Sequence, residues 1–99
     1  MKLSEAQKKH LRGLGHKLKP LIMIGDAGLA DAVYAEYEST IDHHELIKVR
    51  IRVGDRDARD KIIKDLCARS GAALVQRVGN VALLYLPNPD KQRIQLPRG

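Results

Sequence analysis

Gly25-Asp26-Ala27-Gly28 is the segment of this chain best suited to meeting an anion. It follows the apolar run Leu21-Ile22-Met23-Ile24, and from Leu29 onward the spacing is helical. Glycines let a backbone turn sharply and let another backbone approach with no Cβ in the way. The free N–H groups of a helix start, with the helix dipole behind them, favour a phosphate or other anion at that place. Alone a G-x-x-G turn is a weak signal, because strand-to-helix turns commonly need glycine for shape. It is not a P-loop, since no Lys-Ser/Thr pair follows it.

The remaining reactive residue types are scattered. His10, His16, His43 and His44 do not pair four apart on one helix face, and no second cysteine joins Cys67, so metal-ligand spacing is absent. Adjacent His43-His44 suit the last carbonyls of a helix. Cys67 falls on the apolar stripe of a helix and reads as a core residue. The acids fall on helix exteriors and caps, where nothing tunes them for proton transfer. The sequence therefore reads as a protein that is not an enzyme, with no cofactor and no metal.

The elements that position the glycine turn follow from periodicity. A first helix is predicted from Ser4 to about Lys17, opened by the capping-box spacing of Ser4 and Gln7. Gln7, Leu11, Leu14 and Leu18 fall on one stripe of it; Lys9, Arg12, His16 and Lys19 fall on another. Leu21 to Ile24 is a first strand, apolar on both sides and therefore expected at the centre of the sheet. A second helix runs from Leu29 to about Asp42, with Ala30, Tyr34, Tyr37 and Ile41 inward and Asp31, Glu38 and Asp42 outward. The second strand, Glu45 to Val53, alternates cleanly: Ile47, Val49, Ile51 and Val53 one way, Lys48, Arg50 and Arg52 the other.

A third helix spans about Arg56 to Arg69, with Ile62, Ile63, Leu66 and Cys67 buried. Its acid-before-base pairs Asp57–Lys61, Asp60–Lys64 and Asp65–Arg69 use much of its charge within the helix, leaving Arg56 and Arg59 over. Ala72 to Val78 and Val81 to Leu86 form a hairpin around Gly79-Asn80. Pro87 and Pro89 end the regular structure, and residues 88–99 read as an extended C-terminal arm carrying Lys91, Arg93 and Arg98. The order αβαβαββ gives an α/β, two-layer domain with a mixed four-stranded sheet. Strands one to three are expected to pair in parallel and strand four to return antiparallel.

Composition narrows the function. At 99 residues the chain is one domain over 1–99, with an aliphatic core, three tyrosines and neither Phe nor Trp. No apolar run is long enough to span a bilayer and no signal-peptide pattern follows the basic N-terminus. With its lone cysteine this predicts a cytoplasmic protein. The formal net charge of +6 is unevenly spread: residues 1–20 carry +5, residues 21–45 carry −6, residues 46–69 carry +4 and residues 70–99 carry +3. A polyanion would meet this surface from a preferred side. Three cations on one strand face repel one another unless solvated or met by a polyanion. The scarcity of aromatics disfavours single-strand readers built on stacking, with Tyr85 alone placed for such a role. What remains is recognition of backbone and shape, for which the KH-type use of a G-x-x-G loop is a physical precedent.

The segments LRGLGHKLKPLIMIGDAGL, HHELIKVRI, GAALVQRVGNVALLYLPNP and IQLPR, in that order, resemble the CRM domain (chloroplast RNA splicing and ribosome maturation), and within it the stand-alone bacterial, YhbY-like members. The resemblance covers about Leu3 to Arg98. It implies an RNA-binding domain similar in fold to the C-terminal domain of bacterial translation initiation factor three, and a role in assembly of the large ribosomal subunit. It places the family loop on Gly25, Asp26, Ala27 and Gly28, and the family's basic helix-one surface on Lys9, Arg12, His16 and Lys17, leading into Lys19-Pro20. Two positions depart from the family pattern: Asp26 stands where a basic or polar residue is common, and Leu86 follows Tyr85 where Arg is common.

Together these readings predict a non-enzymatic protein that binds pre-ribosomal RNA through residues 25–28 and the cations Lys9, Arg12, Lys17, Lys19, Lys48, Arg50 and Arg52, with His16 beside them. It would have no small-molecule substrate and no membrane partner. The alternative is a protein-binding module that contacts a ribosomal protein or translation factor through its acidic second helix or a sheet edge.

Overall fold

The structure, a computed structural model, describes residues 2–98. In chain order its elements are α1 (Glu5–Gly15), β1 (Pro20–Ile24), α2 (Asp31–His44), β2 (Leu46–Ile51), α3 (Arg56–Ser70), β3 (Ala73–Val78) and β4 (Val81–Tyr85). The αβαβαββ order and the mixed four-stranded sheet are those the sequence predicts.

The sheet runs β1-β2-β4-β3. β1 and β2 pair in parallel, and β4 is antiparallel to both β2 and β3. The expected pairing of strand three with strand two is not made, because β4 turns back at Gly79-Asn80 and inserts between them. Val-Ala-Leu-Leu-Tyr is apolar on both faces and takes a central place. β3 carries Gln76 and Arg77 and takes one edge. The equally apolar β1, expected at the centre too, lies at the other edge with Leu21 and Met23 each 52% exposed.

Each strand sends alternate residues to opposite faces. On one face Ile47, Val49 and Ile51 of β2 and Ala82 and Leu84 of β4 pack with Ile22, Ile24, Tyr34, Tyr37, Ile41, Ile63 and Leu66 under α2 and α3. On the other face Leu46, Val75, Leu83 and Tyr85 pack with Leu11 of α1, flanked by Leu3, Ile94 and Leu96. To the two predicted layers, α1 and the C-terminal segment thus add a partial third.

α1 opens on the predicted capping box: the Gln7 N–H donates to Ser4 Oγ at 3.1 Å and the Ser4 N–H to Gln7 Oε1 at 3.0 Å. Its buried line is Leu11 and Gly15, four apart, whereas Leu14 and Leu18 are 44% and 38% exposed. The difference has a steric cause. A Cβ on Gly15 would lie 2.7 Å from Leu83 Cδ2, so the bare glycine is what seats this end of the helix on the sheet.

α2 begins two residues later than predicted, with Ala30 as its exposed N-cap. It ends at Glu45, which has φ 65° and is fully buried instead of opening the second strand. The carboxylate of Glu45 accepts backbone N–H groups from Asn88 at 2.6 Å, Arg93 at 2.6 Å and Ile94 at 2.9 Å. Asn88 Nδ2 also donates to Asp42 O at 3.1 Å, and Gln7 Nε2 to Pro97 O at 3.1 Å. The segment after β4, without helix or strand of its own, is thereby tied back to α2 and α1.

α3 is capped by Asp55, whose side chain accepts the Asp57 N–H at 3.1 Å, and is stopped by Gly71 at φ 81°. Three of its charged side chains engage other elements, and among the described residues none of the three predicted pairs within the helix forms an ion pair. Asp60 forms an ion pair with Arg77 of β3, Arg69 lies 3.8 Å over the Tyr34 ring, and Arg59 Nη1 donates to Val53 O at 2.9 Å.

Candidate nucleic-acid interface

The face of the sheet that α1 only partly covers carries the cations of β2. Lys48 is half-buried, while Arg50 and Arg52 are exposed. Their spacing is that of alternate strand residues, roughly 6.5 Å apart. Register fixes their neighbours: Lys48 lies beside Pro20 and Leu83, and Arg50 beside Met23 and Val81. Arg52 follows the strand, and its N–H donates to Ile24 O at 2.7 Å. Arg52 therefore stands next to the first residue of the glycine turn.

α1 brings a second set of cations to the other end of this line. Lys9, Arg12, His16 and Lys17 surround a shallow hollow that also includes Gln76. His16 and Gln76 are shared with a deeper cleft of about 460 Å³, into which Lys48 and Arg50 also face. Lys19 is exposed in the connection between α1 and β1. Lys9 and Arg12 of α1, His16 and Lys17 just after it, and Lys48 and Arg50 of β2 thus line two adjoining hollows, and Arg52 follows beside Ile24, at the start of residues 25–28.

The turn is closed by the Gly28 N–H, which donates to Gly25 O at 2.9 Å, and the Ala30 N–H follows by donating to Gly28 O at 3.0 Å. Gly28 has φ +77°, where a side chain is strained, so its glycine is a requirement of the backbone. Gly25 is different. It has no positive φ and nothing lies within 4 Å of where its Cβ would be, so neither backbone nor packing requires glycine there. Asp26 and Ala27 are exposed. No side chain caps α2, so Asp26 is not engaged as its N-cap, and the first N–H groups of that helix have no side-chain acceptor.

Gln76 escaped the sequence reading. Leu74 pairs with Leu84 and Gln76 with Leu83, so Val75 is an extra residue in β3. This bulge places both Val75 and Gln76 on the α1 side, one packed in the core and the other at the cleft. Strict alternation along Ala72–Val78 would have put them on opposite faces, and no turn residue marks the irregularity.

The other candidates fall away from these hollows. Tyr85, the one aromatic placed for stacking by sequence, is fully buried and cannot meet a base. Tyr34 and Tyr37 are core residues, as predicted. Cys67 is half-buried against the core, and burial pushes its thiol pKa up, away from the reactive thiolate. Among the described residues no group of three His, Cys, Asp or Glu could hold a metal ion, and no helix is long and apolar enough to cross a membrane.

A family model of the CRS1/YhbY (CRM) domain matches residues 3–85. The chain belongs to the CRM domain family. Among its CRM relatives, a Haemophilus influenzae protein named "RNA-binding protein" is 44% identical over 97% of this chain and 96% of its own length. A Pseudomonas aeruginosa protein named a probable RNA-binding protein is 43% identical over 94% of this chain and 89% of its own. The CRM fold also matches the solution structure of the hypothetical protein SAV1595 from Staphylococcus aureus, with a TM-score of 0.82 and 28% identity. That match covers 97% of this chain and all of the other.

Proposed function

We propose that this CRM protein is a non-enzymatic RNA-binding protein that acts in the cytoplasm during assembly of the large ribosomal subunit, with pre-ribosomal RNA and the pre-ribosomal particle as its partners. The observation that carries the reading is the track of cations from Lys9 and Arg12 through Lys48, Arg50 and Arg52 to the Gly25–Gly28 turn. Cations gathered from separate segments onto one face repel each other, and a phosphate backbone lying along them removes that cost. The turn contributes backbone N–H groups, and Gly25 leaves room for a sugar-phosphate to come close. Two relatives bear the name of RNA-binding proteins, which supports RNA as the polyanion.

Sedimentation through a low-salt sucrose gradient tests the cellular role. Wild type should move with large-subunit precursors, and an Arg50→Glu/Arg52→Glu variant should stay at the top. Equal co-sedimentation of both, with loss in a Glu38→Lys/Asp42→Lys variant, would replace RNA contact by protein contact through α2.

A further inference from the structure

We propose that the cleft between the C-terminal end of α1 and the open sheet face receives an unpaired nucleobase of the bound RNA, so that the site selects loops or bulges over uninterrupted duplex. The inference rests on the RNA-binding reading above and goes beyond it, since a phosphate track alone accepts any RNA.

The cleft is built for something other than phosphate. Half of its lining is aliphatic: Pro20, Leu83, Val81 and Val78. Leu83 is closed off on its other side by Gly15 of α1, whereas Val78 is 65% exposed at the mouth. An apolar surface of this kind gains nothing from a hydrated phosphate but gains from covering by a flat, weakly polar ring. Two planar side chains line the same space, the His16 imidazole and the Arg50 guanidinium, and both groups stack on bases in proteins that bind unpaired RNA. The scarcity of Phe, Tyr and Trp therefore does not deprive this face of a stacking plane.

Gln76 supplies the polar edge. Its amide offers an acceptor and two N–H donors, a set that matches the edge of adenine in bidentate fashion. The bulge in β3 is what turns this side chain towards the cleft instead of the opposite face. Lys48 stands beside Arg50 on the same wall, so the phosphate attached to an inserted base meets the cation track without leaving it. His16 and Gln76 join it to the α1 hollow, which gives the strand a way in and out.

The test compares two RNA hairpins with the same stem, one with a loop of adenosines and one with an abasic loop of equal length and charge. At fixed salt the wild-type protein should bind the adenosine loop roughly tenfold more tightly, the scale of one stacked or hydrogen-bonded base. A His16→Ala/Gln76→Ala variant changes two exposed positions, and the ratio should fall towards one. Equal affinity of wild type for the two hairpins, with salt dependence retained, would overturn the base-binding cleft and leave the phosphate track standing. A tenfold ratio that survives the double substitution would also overturn the assignment to this cleft. If neither hairpin binds at low salt, the RNA-binding reading fails and this inference fails with it.

Discussion

The carboxylate of Glu45 accepts the backbone N–H of Arg93 at 2.6 Å, joining the end of α2 to a residue 48 positions later in the chain. The same oxygen accepts from Ile94 and its partner oxygen from Asn88, so one buried side chain holds the C-terminal segment. Ile94 and Leu96 then cover the Leu11–Tyr85 cluster. Charge-assisted hydrogen bonds of this kind are among the stronger ones, and removing the acceptor leaves donors without a partner. Glu45→Ala should cost about 3 kcal/mol and speed hydrogen exchange of amides in residues 88–96 before the sheet opens. Because Glu45 sits at φ 65°, Glu45→Gly should be less damaging than Glu45→Ala by about 1 kcal/mol. Equal losses in urea unfolding would show that the left-handed backbone carries no strain.

Two glycines of α1 should respond in opposite directions. Gly13 has nothing within 4 Å of where its Cβ would be, and Gly13→Ala should stabilise the helix by about 0.5–1 kcal/mol. Gly15 lies against Leu83, and Gly15→Val should destabilise by about 2 kcal/mol through overpacking. For a domain of this size each kcal/mol moves Tm by roughly 4–8 °C, so thermal unfolding separates them. Stabilisation by both substitutions would mean that α1 does not rest on Leu83.

The glycines of the turn likewise divide. Gly28→Ala places a Cβ at φ +77° and should cost about 1–2 kcal/mol of stability. Gly25→Glu should leave stability within about 0.5 kcal/mol while weakening RNA binding, since its side chain occupies the space open to the phosphate. Unchanged RNA affinity in a folded Gly25→Glu protein would remove the turn from the interface.

Salt and charge should act together on affinity. With about four to six phosphates neutralised, log K should fall against log salt with a slope of roughly −3 to −5. Arg50→Glu/Arg52→Glu should make that slope shallower. Asp26 is exposed and caps nothing, so Asp26→Lys should tighten binding, by roughly threefold on the scale of an exposed charge contact. Weaker binding would mark the carboxylate as part of the turn's own structure.

Alkaline pH should reveal Tyr37. Its hydroxyl, within the core and 2.9 Å from Ser70 Oγ, has its pKa pushed up to about 12, chiefly by burial. The folded state holds this proton where the unfolded chain, near pH 10, has lost it. The associated stability is full below pH 10 and is lost as pH rises towards 12, about 3 kcal/mol in all. Tyr37→Phe should flatten the fall of urea-unfolding stability between those values. An unaltered fall would assign it to the raised groups Tyr34 and Tyr85 instead.

Local chemistry was enough to determine most elements of this protein. The Ser4–Gln7 capping box, the alternation from Ile47 to Arg52, and Gly71 and Gly79-Asn80 as stops act within a few residues, so neighbours in sequence settle them. The cation types and the glycine turn could be read for the same reason. Tertiary structure alone decided what depends on distant partners. It placed β4 between β2 and β3 and left the equally apolar β1 at an edge, a choice that strand composition alone does not make. It buried Glu45 by giving it donors 43 to 49 residues away, which no periodicity announces. It moved the contact line of α1 from Leu14 to Gly15, because Leu83 lies beneath that glycine. And it turned Gln76 to the same side as Lys48 and Arg50, because one extra residue in an edge strand reverses the alternation that a sequence reader must assume.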